Sequence, residues 1–421
     1  MNVEKHWFQD RLLQRFLRYV KIDTTSDRHS ADQPSTAGQL ELGRVLVQEM
    51  KDLGLPYIDH DEQGFVFAKV PSNLPAGSRA PPEIGFMAHL DTSDAAPGRD
   101  VKPVLHRAYT GQVVHLCNGV VLDPKDFPHL SRYRGDTIIT SDGATLLGAD
   151  DKAGIAEIMV ALEYLQEHPE LAHGQISIIF TTDEELGLGV ERFPIDKFSP
   201  KCCYTLDGGE EGTIEAECFE GYKAVVLFKG ISIHTGVARG KLVNAIEMAG
   251  SFLSMLPASE SPQATDGRYG FYFPVEISGS LEQASLELYL RDFEEPEVRR
   301  RMDALKTFGR AVEAAYPRGK VSLTEHKQYS NLNEYLKGYP EVLALLEEAI
   351  RETGQEPEHR IIRGGTDGAR LSELGIPTPN IFTGGQNFHS RQEWIPLQAM
   401  IRASQTIINL ARLWAEKAPE S

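Results

Sequence analysis

Three apolar runs in this chain stop abruptly on clusters of carboxylate and histidine. Ile84-Gly85-Phe86-Met87-Ala88 runs into His89-Leu90-Asp91, and Gln175 to Phe180 runs into Thr181-Thr182-Asp183-Glu184-Glu185-Leu186-Gly187. Lys201 to Leu206 runs into Asp207-Gly208-Gly209. Between the first two runs lies Leu147-Gly148-Ala149-Asp150-Asp151-Lys152-Ala153-Gly154, directly before Ile155, Ile158, Met159, Leu162 and Leu165 at helical spacing. Strands that alternate with helices and end on charge predict an open α/β sheet with its site at the strand carboxyl ends. An Asp pair at a helix start is, taken alone, an ordinary cap for the helix dipole. Here it stands among two histidines, His89 and the distant His389, and several further carboxylates. That is a nitrogen and oxygen donor set for two divalent metals.

Size and charge narrow the alternatives. The 421 residues suffice for two or three domains. A net charge of −18 argues against a nucleic-acid backbone or an anionic membrane as partner. Acidic residues for solubility account for most of that excess, and site carboxylates that two dications would neutralise are expected to supply part of it. Residues Met1 to Asp10 are charged and lack an apolar segment, and no apolar stretch is long enough for a bilayer. Cys117, Cys202, Cys203 and Cys218 show no C-x-x-C spacing and read as reduced thiols. The expectation is a cytoplasmic protein.

Taken in order, residues from about 3 to 20 read as a helix, and Thr36 with Gln39 reads as a capping box opening a second. Asp94 to Arg134 is long and irregular, which in a compact domain points to function. Thr137 to Thr140 and Ala144 to Leu147, around Ser141-Asp142-Gly143, read as a hairpin feeding the acidic pair. After about residue 215 the pattern becomes strand, helix, two strands, helix, strand, the ferredoxin-like βαββαβ unit. The expected division is residues 1–215 and 329–421 as two parts of a catalytic domain, with 216–328 inserted.

The motifs carry chemistry of one kind. The two-residue period of a strand puts His89 and Asp91 on one face, which suits a metal-bound imidazole supported by a carboxylate. Of the adjacent Glu184 and Glu185, one suits a metal and the other a free base. There is no H-E-x-x-H and no G-x-S-x-G, and Gly187-Leu188-Gly189 lacks the third glycine of a dinucleotide fingerprint.

On His89-Leu90-Asp91-Thr92, Thr145 to Ala156, Asp183 to Gly187, Asp207-Gly208-Gly209 and Arg363 to Ala369, nearly the whole chain resembles one family. It is the dizinc metallopeptidase family that holds aminotripeptidases, carboxypeptidases and aminoacylases. The resemblance implies an open-sheet zinc-peptidase domain with helices on both faces and an inserted lid. It implies two zinc ions per chain, with Asp150 bridging them and an Asp150–Asp151 peptide that is often cis. His89 and Asp207 would hold one zinc, and Glu185 and His389 the other. Asp91 would support His89, and Glu184 would act as general base on a water between the zincs. His234, in His234-Thr235-Gly236, resembles the family's oxyanion histidine, although proline more often follows it. Asn244, Arg291 and Arg363 resemble substrate-binding positions. Ser390-Arg391-Gln392-Glu393 departs from the glycine and aromatic residue usual there, which bears on substrate preference.

The implied activity is release of the N-terminal residue from tripeptides, with a short peptide as partner. Because His234 sits in the insert, that insert must close over the cleft or a second subunit must supply it, so a homodimer through the insert is also implied. Arg291 is expected to grip the peptide's terminal carboxylate. The alternative is a surface arginine paired with Asp292 or Glu294. An N-acyl amino acid deacylase from the same family is a second reading. A noncatalytic peptide-binding relic is a third, which should have lost Glu184 or a ligand.

Overall fold

The strands Ile84–His89 and Ile176–Thr181 are buried at every position, and Cys202–Gly208 at all but Asp207. Near-continuous apolar runs of this kind form strands covered on both faces. In the computed structural model, which describes residues 2–75, 77, 80–198 and 200–417, they are the centre of an eight-stranded mixed sheet. Its order is Tyr57–His60, Val66–Val70, Ile176–Thr181, Ile84–His89, Cys202–Gly208, Asn380–Phe382, Thr213–Cys218, Glu358–Ile362. Ile84–His89 is parallel to both neighbours, with His89 opposite Thr181 and Met87 opposite Thr205. Two residues further on, that register sets His89 level with Asp207. All three polar clusters therefore leave the sheet at one edge.

The helix Ala149–Glu167 packs on the two strands beneath it and is buried along almost its whole length. Gly154 makes that approach possible, since a Cβ there would lie 2.1 Å from the Leu206 carbonyl oxygen. Leu397–Lys417 packs against it, as does Asn2–Tyr19. The expected α/β sheet layered with helices is thus present. Among the described residues, no helix is long and apolar enough to cross a membrane.

One residue of this helix works against its burial. Glu157 is fully buried with both oxygens unpartnered, and burial pushes its carboxyl well above the ordinary range. A carboxyl whose folded-state pKa is raised keeps a proton that the unfolded chain releases, so stability falls as pH rises from the unfolded value of about 4.3 towards the folded one. Glu157→Gln should therefore raise Tm more at pH 8 than at pH 5. Equal gains at both pH values would contradict this.

Two local expectations gave way to distant partners. The hairpin does not form. Ile138–Thr140 pairs instead with Trp394–Pro396 and Val104–His106, and the Ser141 hydroxyl donates to the Thr145 carbonyl (2.6 Å). The capping box also fails. Thr36 makes no side-chain cap, because the Gln39 amide reaches Asp183 Oδ1 (2.7 Å). The long segment from 94 to 134 holds its own small core, in which Tyr109, Val114, Leu122, Leu130 and Tyr133 pack with Ile138 and Trp394.

The chain divides into two compact units. The first comprises Met1–Ala216, Tyr335–Arg360 and Thr366–Ser421, and the second Glu217–Glu334 with Ile361–Gly365. In the second, four antiparallel strands lie in the order Phe271–Gly279, Gln283–Asp292, Glu220–Lys229, Lys320–Tyr329. With helices Ala245–Leu253 and Glu295–Ala315 they complete the βαββαβ order. Alternate residues Tyr222, Ala224, Val226 and Phe228 meet Leu286, Leu288 and Leu290 and, from the helices, Met248, Phe252, Met302 and Leu305.

Candidate metal centre

His89 ends its strand with both ring nitrogens engaged. Nδ1 lies 3.1 Å from the Asp91 carbonyl oxygen and 3.3 Å from Asp91 Oδ1. Nε2 lies 2.9 Å from Asp150 Oδ1 and 3.6 Å from Asp207 Oδ1. The other oxygen of Asp150 is 3.0 Å from His389 Nε2, which is also 2.9 Å from Glu185 Oε1. One carboxylate thus faces two imidazoles with opposite oxygens. Of the predicted residues, His89, Asp150, Glu185, Asp207 and His389 are brought together, with Asp91 and Glu184 at their margin. The Asp150–Asp151 peptide is cis.

Each member is aimed by a built turn. Both oxygens of Asp91 are used, accepting the Glu184 N–H (3.0 Å) and the Glu185 N–H (3.2 Å). Asp183, just before them, holds φ at +59, a region uncommon for any residue but glycine. Its carboxylate accepts from Ser35 N–H (2.8 Å), the Ser35 hydroxyl and Gln39, while its own N–H donates to Gln39 Oε1 (3.1 Å). His389 is itself left-handed, at φ +60, as is Asn387 at +55.

The sequence reading missed two contributors. Glu393 is buried and accepts the N–H groups of Leu147 (2.7 Å), Gly148 (2.8 Å) and Asp150 (3.1 Å), so it fixes the acidic turn. Asp151 accepts the His89 N–H at Oδ2 (3.0 Å), and its Oδ1 is buried without a partner. Ligand atoms of His89, Asp151 and Asp207 lie within 4.8 Å of one another, as do those of His89, Asp150 and Glu185. No motif marks Glu393. Its only visible sign is a charged residue directly before the apolar Trp394-Ile395.

The clustered carboxylates and imidazoles shift one another's titration. Burial and the Asp150 charge raise Glu185 to about 7, and burial with Asp207 raises Glu184 well above its usual range. Although burial opposes it, hydrogen bonds to Asp150 and Glu185 raise His389 to about 11.

The four remaining predicted residues belong to the second unit. His234 Nδ1 accepts the Gly236 N–H (3.2 Å). Asn244 caps its helix, Oδ1 accepting the Ile246 N–H (3.0 Å). Arg291 is buried, donating to the carbonyls of Tyr222 (3.1 Å) and Leu290 (3.0 Å) and to Gln328 Oε1 (2.8 Å). It does not pair with Asp292, whose carboxylate is held by Arg301 (2.6 Å). Arg363 is the most heavily engaged of the four: its guanidinium donates to the carbonyls of Thr265, Gly267 and Tyr269 and lies over Phe219 and Phe271.

A model of peptidase family M20/M25/M40 matches residues 141–413. A protein of Listeria welshimeri named peptidase T is 45% identical over 411 residues, covering 97% of this chain and 100% of that one. The chain belongs to peptidase family M20/M25/M40. The motif resemblance is thereby borne out, and this M20/M25/M40 chain is a hydrolase of the peptidase class. A tripeptidase structure from Staphylococcus aureus superposes with a TM-score of 0.75 at 21% identity, covering 97% of this chain and 99% of that one. An M20-family structure from Bacillus subtilis, described as a dinuclear metal binding peptidase, gives 0.63 at 16% identity, with 97% and 99% covered. Both likenesses concern the fold, which the M20/M25/M40 chain shares over its length.

Proposed function

We propose that this chain is a two-zinc aminopeptidase that releases the N-terminal residue of tripeptides. The observation that carries the reading is Asp150, whose two oxygens face His89 and His389 separately. The donor set fits a pair of borderline dications, being imidazole and carboxylate without thiolate. The buried, unpartnered Oδ1 of Asp151 supports the fit. His89 and Asp207 would hold one ion, Glu185 and His389 the other, and Asp150 both. When bound, such ions polarise a peptide carbonyl and lower the pKa of water towards ~7.

The chain's own groups do the rest. Glu184 is fixed by its N–H to Asp91 with its carboxylate uncommitted to that turn. It takes a proton from the attacking water and returns it to the leaving amine. Asp91 holds His89 and both glutamates in one orientation, as supporting carboxylates do. His234 offers the right tautomer for an oxyanion donor, because a ring accepting at Nδ1 carries its neutral-form proton on Nε2. Arg291 and Asn244 remain candidates for the peptide's far end, although both already have local tasks. We also assign the protein to the cytoplasm, since Cys202, Cys203 and Cys218 are buried thiols outside any disulfide. A homodimer through the second unit is favoured by Phe273, Val275 and Ile277, exposed on its outer strand.

The test is hydrolysis of Leu-Gly-Gly, its N-acetylated form and N-acetyl-leucine by the metal-loaded protein. The reading expects cleavage of the free peptide at its first bond, with the blocked compounds poor. Preference for N-acetyl-leucine would replace it with the deacylase reading.

A further inference from the structure

A cavity of about 570 Å³ opens beside His389, its wall including Ala95, Ala96, Val120, Asp126 and Arg391. We propose that this cavity receives the residue to be released and that Asp126 recognises its α-ammonium. The inference rests on the aminopeptidase reading and deepens it.

The ammonium nitrogen of a peptide is two bonds from the first carbonyl carbon, N–Cα of about 1.46 Å and Cα–C of about 1.52 Å. The carboxylate that reads it must therefore stand next to the reacting centre. Most acids there are already engaged. Asp91 takes two backbone N–H groups and Glu393 three. Asp183 is held by Ser35 and Gln39, and Asp367 by the Thr181 hydroxyl (2.8 Å). Asp126 is exposed to the cavity, and among the described residues its carboxylate has no partner. Arg391 does not neutralise it. That guanidinium is anchored through Nε on the Ala144 carbonyl (3.1 Å), and no ion pair joins the two among the described residues. The small side chains of Ala95 and Ala96 leave room for a substrate side chain, and the volume lies in the small-ligand range of roughly 300–1,000 Å³.

Asp126→Asn keeps shape but removes charge. Its kcat/KM on Leu-Gly-Gly should fall about 10- to 100-fold, the scale of a charged hydrogen bond. N-acetyl-Leu-Gly-Gly should lose nothing, so discrimination between the two collapses. Asp126→Glu should recover part of the loss, and bound metal and Tm should stay at wild-type values. An unchanged rate on Leu-Gly-Gly would overturn the proposal. So would equal losses on both peptides, or loss of metal, which would make Asp126 a support for His389. If the wild-type protein itself prefers the acetylated peptide, the aminopeptidase reading fails and this inference with it.

Discussion

Glu184→Gln should lose roughly 10²–10⁴-fold in kcat while keeping its fold and its metals. Glutamine preserves the length and shape of the side chain, and the backbone bond from residue 184 to Asp91 does not involve it. What disappears is a group that can accept a proton. The neighbouring Glu185→Gln should behave differently, because Glu185 Oε1 stands 2.9 Å from His389 Nε2 inside the donor cluster. It should lower metal content first and turnover as a consequence. Measuring kcat and bound metal on both variants separates the roles of the two adjacent acids. A near-normal rate for Glu184→Gln would move the base elsewhere.

Removing the metals should abolish hydrolysis altogether, and zinc or cobalt should restore it. The reason is electrostatic as well as chemical. Asp150, Asp207, Glu184 and Glu185 converge in a buried space, where burial and mutual repulsion already raise Asp207, Glu184 and Glu185. Dications binding only the folded chain add stability by mass action, about 2.7 kcal/mol at a hundredfold excess over Kd. Chelation should therefore lower Tm together with activity. Full activity in metal-free protein would end the assignment of His89, Asp150, Glu185, Asp207 and His389.

Of those five, His89, Glu185 and Asp207 come after apolar runs and Asp150 opens a helix, whereas His389 is marked as a ligand only by the family resemblance, which also implies the ligand set as a whole. The βαββαβ order was legible from alternation of period. What escaped depended on partners far along the chain. Ile138–Thr140 looked like half of a local hairpin, but its partner strand is Trp394–Pro396. Gln39 looked like a cap and instead clamps Asp183. Glu393 is a lone glutamate in sequence, and only the folded chain brings it the N–H groups of Leu147, Gly148 and Asp150. Arg363 carried a motif resemblance, and only the folded chain shows that it also holds the 265–269 loop.

The most direct test of the two-metal centre is a count of tightly bound ions by native mass spectrometry. The wild-type chain, reconstituted with zinc and desalted, should retain two per chain. His389→Ala should retain one and Asp150→Asn fewer than one. A wild-type chain that keeps a single ion, with His389→Ala unchanged, would contradict the account.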